Sequence, residues 1–294
     1  PSATATATTT TKLFGIVKPY DHQGYKCSYR YRPGSIPPES DPSAPPYTTS
    51  LQPPPPPPPI VLLHPIGIGQ SSWYYKQLIN YWNGPNALYA PDLLGCGLEN
   101  GNDEWNPGAE VPARADQSTT LAYVEAIETL IHEKIVGGGS GGGSGSSQTC
   151  VLVSQGGLAP VAIELAKRHP QTISHLILIT PPTWKEIAQP LPLQHRFKKY
   201  KAYTSPVSYT FYDALETPLG FKAYMRRYFK RRPDDQFVGF ATERGRVTKQ
   251  ARGTIASFNS GALFDRSYEE ELRSIEQPTL ILVGDADEKR NRGR

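Results

Sequence analysis

The most constraining feature of the sequence is the segment 149–170. It begins with a short apolar run and passes through two adjacent glycines directly into an amphipathic helix. Residues 150–153 are all apolar or Cys, which is typical of a strand covered on both faces. The apolar face predicted for the following helix consists of Val161, Ile163, Leu165 and Ala166. A buried strand that feeds a helix in this way indicates an α/β protein with a mostly parallel sheet.

The turn between this strand and helix resembles a nucleophile elbow, in which the pattern Gly-x-Ser-x-Gly presents a nucleophile on a strained turn at a helix N-terminus. The sequence fits that pattern in two registers. Without gaps, residues 154–158 fill the five places, and Gly156 stands at the nucleophile position without a hydroxyl. A shift of two residues makes Ser154 the nucleophile, but Leu152 then fills a place that requires glycine. We favour the gap-free register and keep Ser154 as the alternative.

Composition restricts the class of protein. The chain has 294 residues, of which 37% are hydrophobic, enough for one main domain with an insertion. No apolar run approaches the roughly 20 residues that span a bilayer, so we expect a soluble protein. Cys27, Cys96 and Cys150 lie far apart, which predicts buried thiols in a reducing compartment and no metal site. The Thr-rich residues 1–11 predict a disordered tail or a transit-peptide remnant, hence a plastid or cytoplasmic location.

Sequence patterns outside this turn also predict how the chain is organised. Strands at residues 13–17 and 25–31, joined through 21–24, are expected to form a hairpin. The predicted parts are a tail, hairpin and Pro-rich spacer at 1–59, a first part of the core at 60–180 with a flexible Gly/Ser loop at 137–147, a helical basic cap at 181–274, and a core strand with a basic tail at 275–294.

Four motifs in chain order resemble the α/β-hydrolase family. They are residues 64–67 after one strand, 92–97 after the next, the turn at 154–158, and the segment 278–287. The resemblance covers the chain from about residue 60 onward and implies a doubly wound, mostly parallel sheet with an inserted helical cap. It is to the lipase/esterase-like members with a His-Gly-x-Gly turn, although Pro65 replaces the second residue of that turn.

The resemblance also implies where catalytic groups would stand. Backbone N–H groups of Ile66 and Gly157 take the positions of oxyanion donors, Asp287 takes that of the acid, and Asp285 is the second choice. The histidine base is missing, because every histidine precedes Asp287. We therefore predict a non-catalytic binding or assembly protein without a cofactor. The alternative is an esterase-like serine hydrolase that uses Ser154 and Asp287, with its histidine lost from a truncated C-terminus.

The predicted cap carries most of the positive charge. Residues 184–254 contain fifteen Lys/Arg and six Asp/Glu, a net charge of +9 in a chain of net charge +4. We expect a helix over 222–232 and contact with an acidic protein or an anionic membrane surface, but not with nucleic acid, because no base-reading module is present. The expected contact residues are Lys222, Arg226, Arg227, Lys230, Arg231 and Arg232. Alternatively these cations form a solvated surface and pair with cap carboxylates such as Asp234, Asp235 or Glu243.

Overall fold

A computed structural model describes the protein over most of its length. The described residues are 14–35, 56–96, 119–136, 149–183, 191–226, 233–247, 251–261 and 266–284. The predicted tail, the Gly/Ser loop at 137–147 and most of the Pro-rich spacer lie outside these ranges, as do Asp285 and Asp287. Within the ranges, every helix is too short or too polar to cross a bilayer.

The described strands form one sheet. They are β1 (Ile16–His22), β2 (Tyr25–Arg32), β3 (Ile60–Leu63), β4 (Leu88–Pro91), β5 (Cys150–Gln155), β6 (Ile173–Ile179) and β7 (Thr279–Leu282). Across the sheet their order is β1-β2-β4-β3-β5-β6-β7. The strands from β4 to β7 are parallel, and β1 and β2 extend one edge as an antiparallel hairpin.

The helices of the described ranges, in chain order, are α1 (Lys76–Tyr81), α2 (Thr119–Leu130), α3 (Ala159–Arg168), α4 (Leu193–Tyr203), α5 (Pro206–Leu215), α6 (Pro218–Met225), α7 (Asp235–Val247), α8 (Ala251–Asn259) and α9 (Glu269–Ser274). Short 3₁₀ turns at Ser72–Tyr75 and Gly156–Leu158 precede α1 and α3, and a π-helical turn at Ile131–Val136 follows α2. Helices α4 to α8 are inserted between β6 and α9, and we call them the cap helices.

Alternate residues of the central strands enter two different cores, because successive side chains of a strand point to opposite faces. Leu63 and Leu152 pack with the helices α2 and α3 on one face. Leu62 and Val153 pack with Tyr75 and with α1 on the other face. The mostly parallel sheet with helices on both faces confirms the predicted fold class.

The N-terminal hairpin differs from its prediction in its bounds. Strand β1 runs through Pro19 and Asp21 to His22, so the turn contains only Gln23 and Gly24, with φ angles of 49° and 88°. These left-handed values are typical of a two-residue hairpin turn. Pro19 is tolerated because β1 is an edge strand, where a missing backbone N–H need not interrupt the sheet.

The helix predicted over residues 222–232 lies only partly within the described ranges. Of the residues expected in this helix, those up to Met225 belong to α6, and Arg226 is its C-terminal cap. Residues 227–232, with Arg227, Lys230, Arg231 and Arg232, lie outside the described ranges. Lys222 lies 2.6 Å from Asp235 at the start of α7, so this lysine forms the pair that the alternative interpretation expects.

A buried ion pair joins the cap helices α5 and α8. The guanidinium of Arg252 donates to Glu216 through both Nε, at 2.9 Å, and Nη2, and Nη2 also reaches Asp213. Arg252 and Glu216 are both almost fully buried. The hydrogen bonds from Glu216 raise the pKa of Arg252, so the guanidinium stays charged and the pair holds the two helices together.

Removing this arginine should destabilise the protein through the cap. We expect Arg252→Met to destabilise the protein by about 3–5 kcal/mol, because Glu216 would remain buried without its partner. The measurement is urea unfolding monitored by circular dichroism. The control is Arg273→Met, which breaks the exposed pair between Arg273 and Glu269 on α9 and should change nothing measurable. Equal stability of the two variants would contradict a structural role for the buried pair.

Candidate functional site

The candidate site lies at the edge of the sheet where the parallel strands end. Leu63 of β3 is paired with Ser154 of β5, and Gln155 of β5 is paired with Ile179 of β6. The segments that follow these strands therefore leave the sheet side by side. In open α/β sheets, ligands bind at the carboxyl ends of the strands, so this edge is the candidate binding site.

Gly156 occupies the turn between β5 and α3. Its φ of +59° is left-handed, and a Cβ built on it would meet no atom within 4 Å. The tip of the turn therefore has room for a side chain, but only glycine adopts this backbone conformation without strain. Behind the turn, α3 begins at Ala159 with Pro160 in its first turn, where a missing N–H costs nothing.

Ser154 lies below the turn, inside the sheet. It is only 1% exposed and stands between Leu63 and Leu178 of the neighbouring strands. Its Oγ has no hydrogen-bond partner among the described residues. This burial distinguishes Ser154 from the partly exposed Gly156 of the turn, and a role of Ser154 as nucleophile stays a prediction.

The two proposed oxyanion donors come from neighbouring segments. Ile66 lies in the loop after β3, and Gly157 lies in the 3₁₀ turn after β5. Because β3 and β5 are adjacent and in register, both segments begin at the same edge. Gly157 is in the first turn before α3, where backbone N–H groups have no partner within the helix. Their role as anion donors stays a prediction.

The loop after β3 is clamped by the cap helix α7. Gly69 has a φ of +60°, and a Cβ on it would lie 2.0 Å from the carbonyl oxygen of Ala241. Trp73 donates from Nε1 to the Gly69 carbonyl at 2.6 Å, and its ring stacks on Phe240 at 5.5 Å between centroids. The contact requires a glycine, since any side chain would push the loop and α7 apart.

His64 connects two of the loops at the strand ends. It is fully buried, its Nδ1 donates to the Pro65 carbonyl at 2.9 Å, and its Nε2 accepts the Leu93 N–H at 3.1 Å. Since Nε2 accepts a backbone N–H, the ring is neutral and both nitrogens are occupied. Burial lowers the pKa of His64 below its usual range. This arrangement makes His64 a brace for the loops and leaves no nitrogen to take a proton from a nucleophile.

Two further residues at this edge were not singled out as site residues from the sequence. Asp92, after β4, accepts the Ser72 N–H at 2.7 Å and the Ser28 hydroxyl at 2.6 Å. Thr180, after β6, has a left-handed φ of 47°, and its Oγ1 accepts a hydrogen bond from the Gln155 side chain at 3.3 Å. Asp92 stood within a family motif, whereas nothing in the local sequence around Thr180 indicates its backbone conformation.

Among the described residues, the cysteines and the possible metal ligands give no sign of further chemistry. Cys27, Cys96 and Cys150 are all buried and unpaired. Burial raises the pKa of Cys27 to about 11 and those of Cys96 and Cys150 to about 12, so their thiols stay protonated at neutral pH. Among the described side chains, no three His, Cys, Asp or Glu are grouped in a way that would hold a metal ion.

Comparison with known proteins gives the class to which this fold and edge belong. The model of the alpha/beta hydrolase family matches residues 60–292, which is most of the chain. The chain therefore belongs to the alpha/beta hydrolase family, as the four motifs predicted. A search of the curated proteins found no match in sequence.

Solved structures show the same fold. A membrane phospholipase A, a bacterial virulence factor, aligns with a TM-score of 0.57 and 18% identity over 94% of this chain and 71% of its own. A probable hydrolytic enzyme from Pseudomonas aeruginosa aligns with a TM-score of 0.57 and 14% identity, over 92% and 74%. A haloalkane dehalogenase loop variant from Bradyrhizobium elkanii aligns with a TM-score of 0.53 and 18% identity, over 92% and 80%. Identities this low establish the architecture and not the chemistry.

The glycine clamp can be tested with a matched pair of substitutions. Gly69→Ala and Gly156→Ala both place a Cβ on a left-handed residue, so both should carry a similar backbone strain of about 1–2 kcal/mol. Only Gly69→Ala also creates a clash with α7. We expect it to lower the unfolding free energy by at least about 1 kcal/mol more than Gly156→Ala. Equal losses in urea unfolding would show that α7 does not press on this loop.

The buried His64 predicts a pH dependence of stability. Its pKa is lowered in the folded state, so the unfolded chain binds the proton more tightly below about pH 6.5. This contribution is present above that pH and falls as the pH drops towards the folded pKa, by at most about 1.4 kcal/mol per pH unit. Between about pH 7 and pH 5, the free energy of unfolding measured with urea should fall less steeply for His64→Gln than for the wild type. A slope in the His64→Gln variant as steep as that of the wild type would contradict the assignment.

Proposed function

We propose that this member of the alpha/beta hydrolase family works by binding or assembly and not by serine hydrolysis. The observation that carries the proposal is Gly156, which stands at the tip of the strand–turn–helix where the family pattern places a nucleophile. Glycine has no group that can attack a carbonyl carbon. Because this turn is internal to the chain, residues elsewhere in the sequence do not change which residue stands at this position.

The surroundings of Ser154 support the same proposal. An activated serine needs a base within hydrogen-bond reach and an open path to the substrate. The Ser154 Oγ has no partner among the described residues and is buried within the sheet. The nearby His64 donates and accepts backbone hydrogen bonds, so it is unavailable as a base. The serine-hydrolase alternative therefore finds no support at the described strand ends.

The proposed binding surface is the basic cap, which we place at residues 181–274. Its excess of Lys and Arg favours an acidic partner, and the charged surface would make association depend on salt. Of the expected contact residues, Lys222 is partly engaged by Asp235, whereas Arg226 is exposed at the end of α6. We therefore expect the other exposed cations of the cap to contribute to binding as well.

The proposal predicts how Ser154→Ala behaves. A buried hydroxyl without a partner carries a desolvation cost, so its removal should leave stability unchanged or raise it by up to about 1 kcal/mol. Neither the wild type nor the variant should be labelled by a fluorophosphonate probe, which reacts with activated serines. A serine esterase treated in parallel serves as the positive control for the probe.

Labelling of the chain by the probe would contradict the proposal. Labelling of the wild type that disappears in Ser154→Ala would mean that Ser154 is an activated nucleophile. In that case the binding proposal is wrong and the serine-hydrolase alternative is correct. Because Ser154→Ala is expected to fold at least as well as the wild type, loss of labelling could not be attributed to unfolding.

A further inference from the structure

The first three cap helices expose large apolar side chains. Val207 and Phe211 of α5 are 81% and 62% exposed, and Leu219 of α6 is 81% exposed. Val207 and Phe211 are four residues apart, so they lie on the same face of α5. Helix α4 buries none of its residues within the described structure. We call the exposed surface of α4, α5 and α6 the α4–α6 surface.

The charge of α4, α5 and α6 is mainly positive, although the Asp213 side chain is 60% exposed and Lys222 pairs with Asp235. Residues 193–226 contain two carboxylates, Asp213 and Glu216, and both are bound by Arg252. The same residues include six cations, which are Arg196, Lys198, Lys199, Lys201, Lys222 and Arg226. Lys198, Lys199 and Lys201 are exposed on α4, the helix that precedes the exposed apolar residues of α5. Cations and large apolar groups are therefore both present among the exposed side chains of these consecutive helices.

We propose that the α4–α6 surface binds the interface of an anionic lipid bilayer, with Val207 and Phe211 entering the headgroup region and the α4 lysines contacting lipid phosphates. This inference names a partner for the binding function proposed above and rests on that function. Lysines near an anionic bilayer each add to the attraction, and apolar side chains gain free energy when they leave water. The surface thus offers both contributions that interfacial binding requires.

A fluid bilayer fits these residues better than a folded acidic protein. Val207 and Leu219 are each 81% exposed, so they project from the helices and do not line a groove. Insertion into lipid requires no complementary shape, whereas a protein partner would need a matching pocket for each side chain. Tyr203 and Tyr209, which are also exposed, have an apolar ring and a polar hydroxyl, a combination that is favourable at membrane interfaces.

The test is sedimentation of the full chain with vesicles of phosphatidylcholine, alone or mixed with phosphatidylglycerol, at low and high salt. We expect binding to the mixed vesicles only, and weaker binding at high salt. Lys198→Gln, Lys199→Gln and Lys201→Gln together should lower the partition coefficient by roughly a hundredfold, about fivefold for each lysine. Val207→Ser with Phe211→Ser should lower it by at least about tenfold.

The matched control removes exposed apolar side chains elsewhere. Ile16→Ser with Tyr81→Ser changes residues that are 56% and 82% exposed on β1 and α1, and it should bind like the wild type. The inference is overturned if the wild type does not sediment with the mixed vesicles, or if the α5 variant binds as well as this control. It is also overturned if acidic protein is captured by the chain while vesicles are not.

Failure of this inference can be distinguished from failure of the proposed function. No vesicle binding together with no fluorophosphonate labelling would remove the bilayer as partner and leave a non-catalytic binding protein. Labelling that depends on Ser154 would overturn the binding function whatever the vesicle result. Thermal unfolding of each surface variant should match the wild type, since the substituted side chains are exposed.

Discussion

The parallel pairing of β3 with β5 is the constraint on which the rest of this structure depends. Both strands are buried on both faces, so their backbone groups must find their hydrogen bonds within the sheet and cannot slip without losing them. The register pairs Leu63 with Ser154, so the turns that follow these two strands begin at the same position along the strand direction. This pairing alone places Ile66 and Gly156 at one edge of the sheet, independently of any interaction between their loops.

A second level of organisation comes from the close approach of cap and sheet. Gly69 lies against the backbone of α7, and Trp73 fills the space beside it with Phe240. Contacts this close leave little room for independent movement, since packed interiors shift only in discrete steps. The cap is in turn held together by Arg252 and Glu216. The loop at the candidate site is thus supported from the sheet below and from the cap above.

The sequence alone was sufficient to predict the family and the fold class, because strands buried on both faces and the turns after them leave strong local patterns. The bounds of β1 were missed because Pro19 and Asp21 are typical of loops, and only the edge position makes them acceptable in a strand. The contact between Gly69 and Ala241 could not be predicted, since it joins segments that are distant in the chain. The same holds for Arg252 and Glu216, which read locally as ordinary surface charges.

Strain at the turn after β5 links the fold to the proposed loss of chemistry. In an enzyme of this architecture, a nucleophile on a left-handed turn stores about 1–3 kcal/mol of backbone strain, which the surrounding structure must offset. Gly156 adopts the same backbone conformation without that cost. The turn has this shape with glycine at its start, because β5 and α3 hold it from both ends. Under the proposed function, glycine at this position keeps the geometry of the turn without the strain that a nucleophile there would bear.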